Sequence, residues 1–457
     1  MRGHSARAMA AVALVVALAG AALGALGPVY GGRLTVALAE LPARFEPVPA
    51  QGAGARLIAA LVHERLIDVG DLVPKPALAQ SWSVAANGRE WTLRLRAGAV
   101  FHDGTAIGSA DAVRSLRRFL RSPSPAARGL ASRLEGGAAY RNKTTEDLAG
   151  LMAGDPVTVI LRLREPSVST LSYLAAPAAA ITSARGAGAG PFVPTTASPI
   201  RGRAAFVPFG GHVRGRPFLD GLTLRAADSA EGPADVTPAV GTGRLVASLL
   251  LVLDPAHPSF AGVETRRDVA AAIDRDDLVR NFLSGGATTT SPVPSLLLPA
   301  LPEARSAARR RPVTGSIVLA VSSDVPAVIS QRVVAYLGAA GLQAAAVEAA
   351  PDAVWTTPAA ARLVAWTPEV PDALLALEEL AGLVASGARE TLARGGLESD
   401  PDRREALLHK AEAALRSQSI LVPLAALPLG YRARPGVHGI AVDAGGHIRL
   451  EDAWVEP

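Results

Sequence analysis

Long apolar runs are confined to one place in this chain, and that confinement decides what the rest can fold into. Residues 8–27 form an uncharged run built mainly from Ala, Val, Leu and Gly, and no later stretch approaches eighteen uninterrupted apolar residues. A bilayer-spanning helix needs about twenty, so the chain beyond residue 27 is expected to fold in water. Its apolar residues recur in short runs broken by Gly and Pro. They amount to 49% of the whole, enough to exclude a largely disordered chain. A length of 457 residues suits two or three packed units.

The apolar run follows Arg2, His4 and Arg7 with no acid before it, and it closes on the small-residue triplets 22–24 and 25–27. A basic start, an apolar middle and a small-residue end predict a secretory signal over 1–27, cut after Gly24. An uncleaved amino-terminal anchor is the alternative. Arg2 and Arg7 leave with that segment and no acid does, so the remaining body is nearly neutral. The sequence pI of 9.9 therefore misleads. Of 46 basic residues only Lys75, Lys143 and Lys410 are lysines, which reads as an arginine-rich coding bias. No nucleic-acid partner is expected. The absence of cysteine excludes disulfides, Cys-ligated zinc, a thiolate nucleophile and a lipid-modified cysteine anchor.

Periodicity places strands at 33–38, 157–163, 245–253, 317–321 and 363–366. It places helices at about 55–66, 266–283, 328–342 and 403–417. Two further strands flank Asn87-Gly88, a pair that favours a tight hairpin. Ser109 and Asp111 can cap a helix carrying Val113, Leu116, Phe119 and Leu120. The Gly/Pro/Arg-dense segment 186–217 reads as loop, and 291–312 as a connector. Strands interleaved with helices predict an α/β protein with mixed sheets.

Reactive constellations are scarce. The eight histidines show no ligand spacing, and His102-Asp103 precedes Gly104 in what reads as a structural turn. No G-x-S-x-G elbow is present, and the glycines at 186–190 lack the Lys-Ser/Thr of a phosphate loop. No enzyme activity, metal or cofactor is expected.

One block is more specific. Pro74-Lys75-Pro76-Ala77-Leu78-Ala79-Gln80-Ser81-Trp82 is followed by Trp91-Thr92-Leu93-Arg94-Leu95-Arg96-Ala97-Gly98 and then by Phe101-His102-Asp103-Gly104. It resembles the signature of extracellular solute-binding proteins, family 5, the oligopeptide-, dipeptide- and nickel-binding components of ABC importers. Gly188–Phe192, Gly215–Leu222, the Ala272-Ile273-Asp274-Arg275 helix and Leu421–Leu424 resemble later family segments in the same order. Val113 sits one residue late, and the chain is shorter than most members.

The resemblance implies a two-lobed periplasmic-binding-protein fold of the class II type, with a subdomain inserted in lobe I and mixed sheets. The boundaries it implies are 28–59 (lobe I), 60–149 (inserted subdomain), 150–245 (lobe I), 246–421 (lobe II) and 422–457 (return to lobe I). Such a body closes on its ligand about a hinge. The implied function is capture of a small solute, foremost a short peptide, by a monomer in the periplasm, for delivery to an ABC permease. A sensor or scaffold without transport is the alternative.

Site residues follow from the same likeness. Peptide-binding members carry W-x-A-D-Y-x-(D/E)-P, and the matching run is Trp366-Thr367-Pro368-Glu369-Val370-Pro371-Asp372-Ala373. Glu369 then falls where a carboxylate meets the peptide ammonium, with Trp366 and Asp372 beside it. An enclosed ammonium needs such a partner, because an unpaired buried charge is very costly. Gln51, Gly52 and Ala53 fall on the family's cleft-lining strand, where small residues would leave the backbone open to a ligand strand.

Overall fold

The computed structural model describes residues 27–47, 52–70, 72–226, 232–239, 241–300, 313–384 and 387–457. The predicted signal segment up to residue 26, Gln51 and residues 301–312 of the predicted connector lie outside the described residues.

Three sheets organise the chain. The first runs in the order Tyr431–Ala433, Val236–Pro238, Arg33–Leu38, Gly221–Ala226, Arg203–Pro208 and Phe192–Pro194. Arg33–Leu38 lies parallel to Gly221–Ala226 along its full length, Arg33 facing Gly221 and Leu38 facing Ala226. Alternation puts Leu34, Val36 and Leu38 on one face. There they meet Leu57, Ile58 and Leu61 of the Ala53–Val62 helix in a single core. This is lobe I.

The second sheet is antiparallel, in the order Ala79–Val84, Glu90–Leu95, Thr158–Arg162, Leu151–Asp155. Helices Ser109–Leu120 and Pro125–Arg133 cover it with Leu116, Phe119 and Leu130. The hairpin turns at Asn87-Gly88 as predicted. Gly108 rather than Ser109 is the cap residue of the first helix. Its N–H donates to Asp111 Oδ2 at 3.0 Å. The two strands at 151–162 belong to this sheet, so the inserted unit runs past the boundary expected at 149.

The third sheet, in lobe II, has the order Leu342–Ala349, Gly315–Ser322, Ala361–Trp366, Arg244–Leu253, Leu421–Leu429. Its first three strands are parallel and the last two pairings antiparallel. Arg244–Leu253 is sandwiched. Leu249, Leu251 and Leu253 enter one core, and Leu250 and Val252 enter another. Such two-sided burial explains its almost unbroken apolar sequence. Leu421–Leu429 pairs here rather than in lobe I, so the return to lobe I comes about eight residues later than expected.

Other expectations also shift. The 266–283 helix is two helices, Val263–Ala272 and Arg275–Phe282, because Asp274 breaks the first and caps the second through Asp277 N–H at 2.8 Å. The segment 186–217, expected as loop, supplies the strands Phe192–Pro194 and Arg203–Pro208. No helix among the described residues is long and apolar enough to cross a membrane.

Two adjacent chain segments join the lobes. One runs from Val236–Pro238 to Arg244–Leu253, the other from Leu421–Leu429 to Tyr431–Ala433. Ala239 N–H donates to Gly430 O at 2.9 Å. A Cβ on Gly243 would collide with the Leu429 carbonyl, and one on Gly430 would lie 2.6 Å from Thr242 O. Glycine is needed there so that the two backbones can cross in contact.

Candidate functional site

A cavity of about 580 Å³ lies between the lobes, directly over these crossings. Its floor is Pro238, Gly241, Leu429 and Gly430. Lobe I contributes Glu40 and Arg56, lobe II Asp324 and Trp355, and the subdomain Ser124 and Arg128. The size and the mixture of apolar wall with a few polar groups suit a small-molecule site, typically roughly 300–1,000 Å³.

Gly52, Ala53, Trp366 and Glu369 line this cavity. Asp372 does not. Its carboxylate caps the Ala373–Leu383 helix through Leu374 and Leu375 N–H, and it accepts from Ser172 Oγ at 2.8 Å. An acid immediately before an apolar helix is strongly favoured as a cap, and that role turns it away from the cavity. Gly52 and Ala53 are not a strand either. Ala53 begins the Ala53–Val62 helix, and Gly52 O already accepts from Arg56 N. Gly52 has φ 80°, and a Cβ on it would lie 2.6 Å from Glu40 Oε1. Its smallness makes room for a side chain of its own lobe. Val370, at the position of the family's tyrosine, is core rather than cavity wall.

Glu369 is buried. Both carboxylate oxygens accept from Ser124 Oγ, at 2.7 and 2.8 Å, and Oε2 also accepts from Ala126 N at 3.1 Å. Burial raises its pKa, against the pull of these donors and of Arg56 and Arg128. Behind it stands Glu379, whose Oε1 accepts from Trp366 Nε1 and whose Oε2 accepts from Glu369 N, both at 3.0 Å. Burial pushes the Glu379 carboxyl up to about 7. Arg56 opposes that rise and Glu369 adds to it.

A second acidic wall was not anticipated. Glu40, from lobe I, faces Asp324 and Asp352, from lobe II. Desolvation, then repulsion from those two aspartates, raises Glu40 to about 6. Asp324 is raised too, chiefly by desolvation. No salt bridge reaches any of the three among the described residues. A sequence signal for them exists. Glu40, Asp324, Asp352 and Glu369 each follow within three residues the carboxyl end of a strand: Arg33–Leu38, Gly315–Ser322, Leu342–Ala349 and Ala361–Trp366. In open α/β sheets, ligands bind outside those ends.

Elsewhere the same residue types are engaged structurally. Glu64 and Asp68 are buried beneath the Ala53–Val62 helix. Glu64 Oε2 accepts from His212 Nε2 at 2.9 Å and Arg214 at 3.1 Å. Asp68 accepts from Arg449 at 2.7 Å and Arg214 at 3.4 Å. His102 Nε2 contacts Gly190 O at 2.9 Å, and Asp103 closes a turn onto Thr105, the structural role expected of that pair. No group of three metal-binding side chains occurs among the described residues.

Comparisons with known proteins agree with this architecture. Residues 73–236 match the bacterial extracellular solute-binding proteins, family 5, middle region. A probable peptide ABC transporter periplasmic-binding protein, y4tO of Sinorhizobium fredii (strain NBRC 101917 / NGR234), is 26% identical over 155 residues. That stretch is 34% of this chain and only 26% of the relative, so the match spans about a quarter of its length. Among solved structures, the Escherichia coli murein tripeptide binding protein MppA superposes with a TM-score of 0.81 at 16% identity, over 93% of this chain and 98% of that one. Haemophilus influenzae OppA in complex with RPPGFSPFR gives 0.79 at 15%, with 93% and 98% covered. AgaA of A. tumefaciens R10, in complex with agropinic acid, gives 0.74 at 20%, with 93% and 99% covered. The signature block in sequence and the two-lobed fold around it point the same way: residues 73–236 are similar to the extracellular solute-binding proteins, family 5, and 93% of the chain shares the fold of the solved binding proteins.

Proposed function

We propose that the protein is exported to the periplasm, captures a small amine-bearing solute, foremost a short peptide, between its lobes, and delivers it to an ABC permease without making or breaking a bond. The observation that carries this reading is the 580 Å³ cavity over a two-segment crossing, with acids from both lobes on one wall. A cationic group entering beside Glu40, Asp324 and Asp352 would relieve the repulsion that the two aspartates exert on Glu40, and it would do so only when the lobes are together. Ligand charge and lobe closure are thereby coupled. The ligand also meets Trp366 and the Gly52-Ala53 helix start. The likeness to y4tO, whose name specifies peptide transport, supports the peptide class.

Thermal unfolding of the chain without residues 1–27, against di- to pentapeptides at millimolar concentration, tests the reading. Binding to the folded form alone raises the midpoint, by about 2.7 kcal/mol of added stability at a hundred times Kd. Amino-terminal acetylation of the same peptides is expected to abolish the shift. No shift with any peptide would sink the peptide class, and equal shifts with acetylated peptides would sink the amine contact.

A further inference from the structure

The loop 367–369 is gripped from two sides. From lobe I, Arg56 NH1 donates to Pro368 O at 2.9 Å and Thr367 Oγ1 at 3.1 Å, and both terminal nitrogens reach Thr367 O at 3.4 Å. From the subdomain, Ser124 Oγ and Ala126 N–H hold the Glu369 carboxylate. Each grip has its own support. His447 Nε2 lies 3.1 Å from Arg56 NH1, and its Nδ1 lies 3.2 Å from Asp443 Oδ1. Glu379 ties Trp366 to the Glu369 backbone and so fixes the shape of the loop.

We propose that these contacts are a closing latch, in which Arg56 and Ser124 hold the lobes together by binding the 367–369 loop directly, protein to protein. Glu369 is then a latch residue in the closed form. Its oxygens are committed to the amino-terminal end of the Pro125–Arg133 helix, where a carboxylate complements the exposed N–H groups. The ligand's cation is left to the Glu40, Asp324 and Asp352 wall. Glu379 and His447 are positioning residues for the two grips. The proposal rests on the two-lobed solute-binding reading for the existence of an open state, and it adds that closure has a ligand-independent component.

Amide exchange of the full chain, with no peptide added, tests it. Ala126 lies in the first turn of its helix, where an amide has no intrahelical acceptor. Its protection therefore reports the Glu369 contact. The Ala126 amide is expected to exchange at least about tenfold more slowly in the wild type than in Arg56→Ala or Glu369→Ala. Fast exchange in the wild type overturns the latch even if neither variant folds. Small-angle scattering gives a second reading. Arg56→Ala is expected to increase the radius of gyration, and Arg56→Lys, which keeps the charge but loses the planar fork, to increase it less. Equal radii in all three proteins would also overturn it. A chain that shifts with peptide in thermal unfolding yet shows no Ala126 protection loses the latch and keeps the solute-binding reading.

Discussion

Two groups of carboxylates, one beneath lobe I and one between the lobes, show what their surroundings make of the same chemistry. Glu64 and Asp68 are surrounded by Arg65, Arg214, Arg449 and His212. Although burial pushes both upwards, these partners hold Glu64 down at about 2 and Asp68 well below the usual carboxylate range. Glu40, Asp324 and Glu379 shift the other way. A carboxylate with matched arginines is a structural joint. A carboxylate left with other carboxylates, in a cavity, is poised for a partner from outside.

The largest way to test that contrast is to break the joint. Arg449→Ala leaves Asp68 buried without its closest partner and is expected to cost about 3–5 kcal/mol in denaturant unfolding. A loss under 1 kcal/mol would mean that the network holds nothing together. Next comes Glu379→Gln, read as a pH profile. A carboxyl raised to about 7 keeps its proton in the folded chain after the unfolded chain has lost it. Its stabilising contribution is therefore present below about 4.5 and lost as pH rises to 7. Wild type should lose up to roughly 3 kcal/mol relative to Glu379→Gln over that interval. Parallel profiles would place Glu379 in an ordinary environment.

A smaller change in stability, with a large change in binding, is expected at the open wall. The double change Glu40→Gln and Asp324→Asn removes repulsion and should alter stability by no more than about 1 kcal/mol, because Glu40 is only half-buried. Affinity for an amine-bearing peptide should fall at least about tenfold. Titration calorimetry showing unchanged affinity would assign the amine contact elsewhere. Least of all, Glu146→Gln at the exposed pair with Arg121 should leave the unfolding midpoint where it is.

Much of the fold was legible because its strands alternate or run apolar throughout, as at Arg33–Leu38 and Arg244–Leu253. The strand Leu342–Ala349 was not. Its alanines favour helix, and only pairing along the whole of Gly315–Ser322 overrides that preference. Of the candidate site, the 366–369 segment came through the resemblance. Asp372 was misread because a cap and a ligand contact ask for the same residue type. Glu40, Asp324 and Asp352 are single acids in unrelated segments, and only the folded sheets bring their strand ends to one place.

The crossing at Gly243 and Gly430 carries a final consequence. The two segments stay paired on both sides of it, Pro238 with Tyr431 and Arg244 with Leu429, and at the glycines no side chain separates the backbones. A side chain added at either glycine would force the two segments apart, and is therefore expected to disturb both sheets at once.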